Sequence, residues 1–172
     1  GFQLAATVVR GGSDVFTITL PQRLIYVLGA EAVGMSPELA ASTAKHPCYS
    51  FEAHHQYARM HLPVAPACNI SCNYCNRKFD CVNESRPGVT SEVLSPEEAL
   101  EKFLWVKREM PNLSVVGIAG PGDTLANWPA VSKTLRAIRA VDENVVFCVS
   151  TNGLMLPTYA DELLELGVRH IT

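Results

Sequence analysis

The sequence lacks the features of membrane proteins and of nucleic-acid-binding proteins. No apolar stretch approaches the roughly 20 residues that span a bilayer, because the candidate at 24–33 is short and contains Gly29 and Glu31. The net charge is only −3, and there is no run of Lys or Arg. A basic run is the usual mark of proteins that bind nucleic acid or anionic membranes. We therefore expect neither as a partner.

A secretory signal is also missing from the start of the chain. No basic segment precedes an apolar one there, so we expect a cytoplasmic protein. The sequence begins with Gly1 rather than Met, which suggests a fragment or a trimmed chain.

The cysteines are few but unevenly distributed. The six are Cys48, Cys68, Cys72, Cys75, Cys81 and Cys148, and four of them lie within residues 68–81. An even number could form three disulfides in a small secreted protein. A 172-residue chain that is 48% hydrophobic can build a core without such cross-links. The crowding therefore favours metal or redox chemistry over disulfides.

Helices and apolar strands alternate in the second half of the sequence. A capping box at 95–98 begins one helix, and apolar residues at helical spacing mark two more near 131–141 and 159–166. Continuous apolar strands are predicted at 62–66, 115–119, 145–149 and from 168 onward, besides an alternating strand at 15–20 and a helix at 36–45. This order predicts an α/β fold with a parallel sheet, namely part of a (β/α) barrel.

Three polar loops each come directly after a predicted strand. They are the cysteine-containing loop after 62–66, the sequence GPGD at 120–123 and the sequence STNG at 150–153. The carboxyl ends of parallel strands meet at one end of a sheet or barrel, where functional sites of such folds lie. We therefore expect these loops to converge.

Cys68, Cys72 and Cys75 are separated by gaps of three and two residues. Thiolates are the usual ligands of iron–sulfur clusters, and three of them would leave the fourth iron of a [4Fe–4S] cluster open. Two other interpretations compete, because these positions share one helix face and because paired cysteines also bind zinc. Pro66 argues against a buried helix, and the spacing with Tyr74 before the last cysteine favours a cluster over zinc.

This cysteine pattern resembles that of the radical S-adenosylmethionine (SAM) superfamily. The resemblance implies that SAM binds the open iron and is split there to a 5′-deoxyadenosyl radical. It also implies that the GPGD and STNG loops contact SAM, although either loop alone would be interpreted as an ordinary turn. The residues implied to bind this cofactor are Tyr74, Gly120, Pro121, Gly122, Asp123, Thr151, Asn152 and Gly153.

A narrower resemblance covers residues 46–96. The segments at 46–50, 53–55, 58–61, 68–78 and 80–88 are similar to those of the NifB family of nitrogenase cofactor maturases. That family fuses two [4Fe–4S] clusters and inserts a SAM-derived carbide to make a precursor of the iron–molybdenum cofactor. The resemblance implies auxiliary substrate clusters with His61, Cys81 and Cys48 as ligands. It also implies Fe–S cluster donors and nitrogenase cofactor carrier or scaffold proteins as partners.

Several residues around the cysteine triplet keep a second interpretation. Cys48, His61 or Cys81, taken singly, is more typical of a structural residue than of a ligand. Glu84 and Arg86 lie in a polar turn that could be merely solvated, and a catalytic role in proton handling is the alternative hypothesis. The buried-strand pattern around Cys148, the remaining cysteine, predicts a core residue.

The predicted organisation has two parts. Residues 1–45 would be a poorly defined N-terminal extension, and residues 46–172 the first half of a barrel domain that is truncated after about half of its units. Two alternative functions remain at this point. One is another radical SAM enzyme with an auxiliary Fe–S cluster, and the other is a non-catalytic module that binds an Fe–S cluster or zinc.

Overall fold

The computed structural model describes residues 3–6, 24–27, 41–79, 81 and 92–172. Two short strands, β1 (Gln3–Ala6) and β2 (Leu24–Val27), pair in parallel as a separate two-stranded sheet. The strand predicted at 15–20 and the first part of the helix predicted at 36–45 lie outside the described residues, whereas residues 41–43 are helical.

Four parallel strands form the main sheet in the order in which they occur in the chain. They are β3 (Ala58–Pro63), β4 (Leu113–Ala119), β5 (Val146–Val149) and β6 (Val168–Ile171). β4 is buried along its whole length, which matches its continuous apolar sequence. The predicted α/β fold is confirmed, and the four parallel strands with their helical connections correspond to part of a (β/α) barrel.

Helices connect the strands and cover one face of the sheet. Between β3 and β4 lies α2 (Pro96–Glu109), which comes after a helix α1 (Phe51–Gln56) that precedes β3. A 3₁₀ turn (Thr124–Asn127) and α3 (Trp128–Val141) connect β4 to β5, and α4 (Leu156–Glu165) connects β5 to β6. The capping box predicted at Ser95 is present, with Glu98 as its partner.

The hydrophobic core lies between these helices and alternate residues of the strands. Met60, Val116, Phe147 and Val168 are neighbours across the sheet on this face. The helices contribute Ala99, Phe103, Val131, Leu135, Ile138, Ala160 and Leu163. Burial of these side chains, at roughly 1.5–3 kcal/mol for each large one, is the main stabilisation of the unit.

The other face of the sheet carries polar side chains in one cross-strand row. His61, Gly117, Cys148 and His170 are register partners in successive strands. Two irregularities in register keep this row aligned. One lies between Ala58 and Arg59 on β3, and the other between Phe147 and Cys148 on β5. We call these four residues the polar row.

Residues before β3 cover the polar row. The Ser114 hydroxyl donates to the Lys45 carbonyl at 2.6 Å, and Thr43 Oγ1 lies 3.1 Å from His170 Nε2. The Tyr49 ring stacks on His170 with centroids 5.3 Å apart. None of the helices in the described ranges has the length and apolar character needed to cross a membrane.

The first strand of the sheet differs from its predicted bounds. It occupies residues 58–63 rather than 62–66, because Arg59 and His61 alternate onto the polar face and hide its first half. Cys148 also differs from its prediction as a core residue. It is partly buried and belongs to the polar row rather than to the core. Successive residues of a strand point to opposite faces of the sheet, so a position one residue earlier or later places the side chain on the other face.

Candidate cofactor site

A cavity of about 400 Å³ lies at the carboxyl end of the sheet. This volume is within the range of small-molecule sites, roughly 300–1,000 Å³. The cysteine loop, the GPGD loop, the STNG loop and the end of β6 all contribute to its wall. The lining residues are Cys68, Ile70, Cys72, Tyr74, Cys75, Cys81, Pro121, Gly122, Asp123, Ser150, Thr151, Asn152 and Thr172. The loops meet where their positions after parallel strands predict.

The three thiols of the triplet lie together on this wall. All six cysteines are free, and Cys68 and Cys72 are partly buried while Cys75 is exposed. Among the described residues, no three His, Cys, Asp or Glu side chains converge on a point where one metal ion could be held. A cubane takes each thiolate at a separate iron, so it does not require such convergence. The donor set and the size of the cavity therefore fit a [4Fe–4S] cluster with a small-molecule ligand.

The stem of the cysteine loop pairs with the GPGD loop through backbone hydrogen bonds. The Gly122 nitrogen donates to the Ala65 carbonyl and the Asp123 nitrogen to the Ala67 carbonyl, each at 2.8 Å. A Cβ built on Gly122 would lie 2.7 Å from the Ala67 nitrogen and closer still to its carbonyl group. Glycine is required here because the loop stem approaches the backbone so closely.

Gly120 approaches the stem of the cysteine loop at Ala65. Its φ of +143° is a conformation that other residues rarely adopt, and a Cβ there would lie 2.5 Å from the Ala65 carbonyl oxygen. The Gly120 carbonyl also accepts a hydrogen bond from the Cys81 nitrogen at 3.0 Å. The GPGD loop thus contacts both ends of the cysteine loop.

The Asp123 carboxylate connects the GPGD and STNG loops. It is buried, and Oδ1 accepts hydrogen bonds from the Leu125 and Ala126 nitrogens at 2.9 and 3.2 Å. The Thr151 hydroxyl lies 3.0 and 2.9 Å from the two carboxylate oxygens, and the Asn152 nitrogen donates to Oδ2 at 2.6 Å. Such charge-assisted bonds are the stronger kind, so Asp123 fixes the position of two neighbouring residues on the cavity wall.

Asn152 links the STNG loop to the cysteine loop. Its Nδ2 donates to Asn69 Oδ1 at 2.6 Å, while its Oδ1 accepts from the Leu154 nitrogen at 3.0 Å. At the far side of the STNG loop, Ser150 Oγ and Thr172 Oγ1 are 2.7 Å apart. The three loops are therefore joined to one another by protein hydrogen bonds alone.

The predicted auxiliary ligands occupy different places. Cys81 lies on the cavity wall with the triplet. Cys48 is exposed, and its sulfur contacts the Arg59 guanidinium on the polar face. The His61 ring lies across Gly117, where an added Cβ would be 2.8 Å from Nε2. The predicted catalytic residues Glu84 and Arg86 lie outside the described residues.

The titratable groups around the polar row are buried or half-buried, and their pKa values are shifted. Burial, followed by the charge of His170, lowers the pKa of His46 to about 3, and burial lowers the pKa of His170 to about 4. Burial and then the charge of Cys48 raise the pKa of the Cys148 thiol to about 12. Burial, followed by Cys148, raises the pKa of Tyr49 as well. These groups are held neutral near pH 7.

The sequence pattern does not single out two buried histidines of this region. His46 Nε2 and His170 Nδ1 are buried without a hydrogen-bond partner among the described residues. Sequence reasoning also misses Asn127, although its side chain bonds the residue before Cys68. Asn before a helix indicates an ordinary cap, so no local signal could have identified this contact.

Comparison with known proteins gives a family match over most of the described unit. The sequence model of the radical SAM superfamily matches residues 62–172. This segment contains the triplet, the GPGD loop and the STNG loop.

The chain is also similar to proteins named "FeMo cofactor biosynthesis protein NifB". It is 57% identical to that of Klebsiella pneumoniae over 143 residues, which are 83% of this chain and 31% of the relative. For Rhodobacter capsulatus the identity is 56% over 138 residues, or 80% and 30% of the two chains. For Rhizobium leguminosarum it is 54% over 127 residues, or 74% and 78%. The chain thus spans about a third of the length of the first two relatives.

Proposed function

The chain belongs to the radical SAM superfamily and, within it, to the NifB family, and from this we propose that it forms part of a radical SAM enzyme of iron–molybdenum cofactor biosynthesis. One observation carries the proposal. The thiols of Cys68, Cys72 and Cys75 share a cavity with the GPGD and STNG loops. A cluster on those thiols would lie directly beside the polar groups that a small cofactor needs.

The three thiols would hold a [4Fe–4S] cluster, and the remaining space of the cavity would hold SAM. When bound, this pair supplies a strongly oxidising organic radical. The chain's own residues orient the cofactor. Asp123 fixes the Thr151 hydroxyl and the Asn152 backbone on the wall, and Tyr74 and Ile70 contribute apolar surface at the mouth. Fixed polar groups of this kind reduce the entropy lost when a ligand is oriented.

The finer activity we propose is that of the NifB relatives. Two [4Fe–4S] substrate clusters would be fused and a SAM-derived carbide inserted, giving a precursor of the iron–molybdenum cofactor. Cys48, His61 and Cys81 would be ligands of auxiliary clusters, since thiolate and neutral imidazole are suitable donors for iron. Glu84 and Arg86 would handle protons. Cluster donors and nitrogenase cofactor carrier or scaffold proteins would be the partners.

The test is anaerobic reconstitution with iron and sulfide, followed by electron paramagnetic resonance of the reduced full-length protein with and without SAM. We expect a [4Fe–4S] signal that shifts on addition of SAM, together with 5′-deoxyadenosine and S-adenosylhomocysteine as products. Cys72→Ala should abolish the SAM-dependent signal. Cys148→Ala is the matched control, because Cys148 lies on β5 outside the cavity and its loss should leave that signal in place.

Each other outcome contradicts a defined part of the proposal. Without S-adenosylhomocysteine, the protein would be a radical SAM enzyme of another kind. Uptake of zinc, or a cluster that does not respond to SAM, would indicate a binding module instead. A SAM-dependent signal that survives in Cys72→Ala would exclude the triplet as its ligand.

A further inference from the structure

Asn127 forms a paired set of hydrogen bonds with the residue before the first cysteine of the triplet. Its Oδ1 accepts from the Ala67 nitrogen at 3.1 Å, and its Nδ2 donates to the Ala67 carbonyl at 2.7 Å. Nδ2 also donates to the Asp123 carbonyl at 2.7 Å. The amide therefore acts on Ala67 as a neighbouring strand would, across 60 residues of sequence.

The bond to Ala67 fixes the beginning of Cys68. The Ala67 carbonyl belongs to the same planar peptide unit as the Cys68 nitrogen, so holding one atom orients the other. Ala67 is itself exposed, and its side chain is a single methyl group that can contribute little packing. Its position is thus set by hydrogen bonds to Asn127 and to the Asp123 nitrogen.

The Asn127 side chain does not cap the helix that it precedes. Asn127 is the N-cap residue of α3, yet it makes no side-chain capping bond to that helix. Asn is among the best N-cap residues, and a capping bond typically changes helix stability by a factor of about five. The amide is directed at the cysteine loop instead, and the 3₁₀ turn that runs into α3 is capped by the Asp123 carboxylate. Exceptions to a local rule concentrate at functional sites.

We propose that Asn127 is a positioning residue that holds Cys68 in place for the cluster and its SAM ligand. The inference rests on the proposed function of the cavity, and it adds a further contact on the cysteine loop to the backbone bonds of the GPGD loop and the bond from the Asn152 side chain. Asn127 does not itself line the cavity, and its amide bonds backbone groups of Ala67 and Asp123, so it acts on Cys68 through Ala67.

Asn127→Asp separates this role from a role in the helix. Asp caps helices as well as Asn does, and its charge suits a helix N-terminus, so a purely helical role predicts no loss. A carboxylate facing the Ala67 and Asp123 carbonyls, however, replaces two donated bonds by repulsion between acceptors. We expect SAM affinity to fall about tenfold or more, with less SAM-shifted signal per chain.

The experiment uses the reconstituted full-length protein and measures iron content, the SAM-dependent resonance signal, SAM affinity and the urea midpoint. Asn112→Asp is the matched control, because the Asn112 amide also donates to a backbone carbonyl, that of Gln56, but near the opposite end of the sheet. We expect this control to bind SAM like the natural protein. Asn127→Ala, which removes the bonds without adding a charge, should show a smaller loss of the same kind.

Three results would overturn the inference. They are natural SAM affinity in both Asn127 variants, an equal loss in Asn112→Asp, and a loss that only accompanies a lowered urea midpoint. If the natural protein's own cluster ignored SAM, the proposed function would fail separately. The iron bound per chain would then still show whether Asn127 positions Cys68. Iron content equal to that of the natural protein in the Asn127 variants would contradict the inference.

Discussion

The cavity lies at the carboxyl end of the sheet, and the polar row lies across one face of the same sheet. Both contain cysteines and other polar side chains, but the two regions hold them differently. In the cavity, cysteines lie at or near the surface, and the polar groups of three loops bond one another. Around the polar row, aromatic rings pack at centroid distances of 4.4–5.3 Å, and two imidazole nitrogens lack partners among the described residues. Hydrogen bonds between loops arrange the first region, whereas the second combines packed rings with a few hydrogen bonds such as that between Thr43 and His170.

The difference shows how one fold keeps reactive side chains apart. Hydrogen bonds between loops hold the triplet while leaving its thiols accessible to a cluster. Burial in the polar row suppresses charge, since it lowers the pKa of His170 to about 4 and raises that of Cys148 to about 12. Changes in the cavity should therefore impair SAM binding, whereas changes around the polar row should alter stability and any auxiliary cluster bound at His61.

Gly122→Ala should cause the largest loss. The added methyl group would meet backbone atoms of Ala67, which cannot move without displacing the start of the cysteine loop. Overpacking of this kind costs about 2–3 kcal/mol in stability, and we expect the SAM-dependent signal to disappear. Urea unfolding and electron paramagnetic resonance would measure the two effects.

Gly153→Ala is the control for that prediction. Nothing lies within 4 Å of a Cβ at Gly153, so only its positive φ of +80° opposes the change. The expected cost is roughly 1 kcal/mol. Equal losses in both variants would show that backbone conformation, rather than close approach to Ala67, is what these loops require.

Asp123→Asn tests the junction between the GPGD and STNG loops. Asp123 Oδ2 now accepts from the Thr151 hydroxyl and from the Asn152 nitrogen. The amide of Asn has one oxygen and one NH₂ group, so one of the two carboxylate oxygens is replaced by a donor. We expect a loss of about 2 kcal/mol in unfolding free energy, since a bond to a charged group is worth about 1.5–3 kcal/mol. SAM affinity should fall as well. Thr158→Ala, on the exposed side of α4, is the control, and unchanged affinity in Asp123→Asn would contradict the junction.

Much of the cavity could be predicted from the sequence, and the limits of that prediction have a physical cause. The capping box at Ser95 and the continuous apolar run of β4 are local patterns, so α2 and β4 lie close to where the sequence predicts them. The convergence of the loops is a consequence of parallel strands. The bonds that Asn127 and Asp123 make to other loops join residues 28–60 positions apart, and no local pattern encodes them.

Gly117→Ala should disturb the polar row and spare the cavity. Its methyl group would meet the His61 ring, which would have to leave its place across β4. We expect about 1–2 kcal/mol of destabilisation and loss of any resonance signal that depends on His61, with the SAM-dependent signal retained. His61→Ala in the same background separates steric from ligand effects, because it should restore stability but not the His61-dependent signal. A lost SAM-dependent signal would contradict the separation of the two regions.

Acid should destabilise the polar row gradually, over several pH units. An unfolded histidine titrates near 6.5, whereas the folded His170 titrates at about 4, so the unfolded state binds more protons in between. The contribution of His170 to stability is therefore complete above pH 6.5 and is lost at about 1.4 kcal/mol per pH unit as the pH drops toward 4. His46, whose pKa is about 3, should add a loss of the same sign. Urea unfolding before reconstitution, from pH 7.5 to 5, would measure the slope. His170→Asn should reduce this slope. An unchanged slope would show that groups other than His170 cause the loss of stability in acid.

The polar row itself could not be predicted from the sequence. Arg59 and His61 interrupt the apolar pattern of β3, so that pattern places the start of the strand four residues too late. Cys148 lies in an apolar run, and its polar neighbours come from residues 43–49, which are adjacent only in the folded chain. Alternation shows that two faces exist, but it does not show what covers each face.

The register shift between β5 and β6 determines where the chain can lose a residue without turning side chains to the other face of the sheet. Val168 pairs with Phe147 and His170 pairs with Cys148, so Arg169 is an extra residue between them. A deletion of Arg169 would leave His170 and Ile171 opposite their present partners, with each side chain on its present face. Between β4 and β5 the pairing is regular, so a similar loss there would move later side chains to the other face. Deletion of Arg169 should therefore cost its bonds to the Leu164 and Val168 carbonyls but keep each side chain on its face, whereas a deletion in β5 would exchange the two faces.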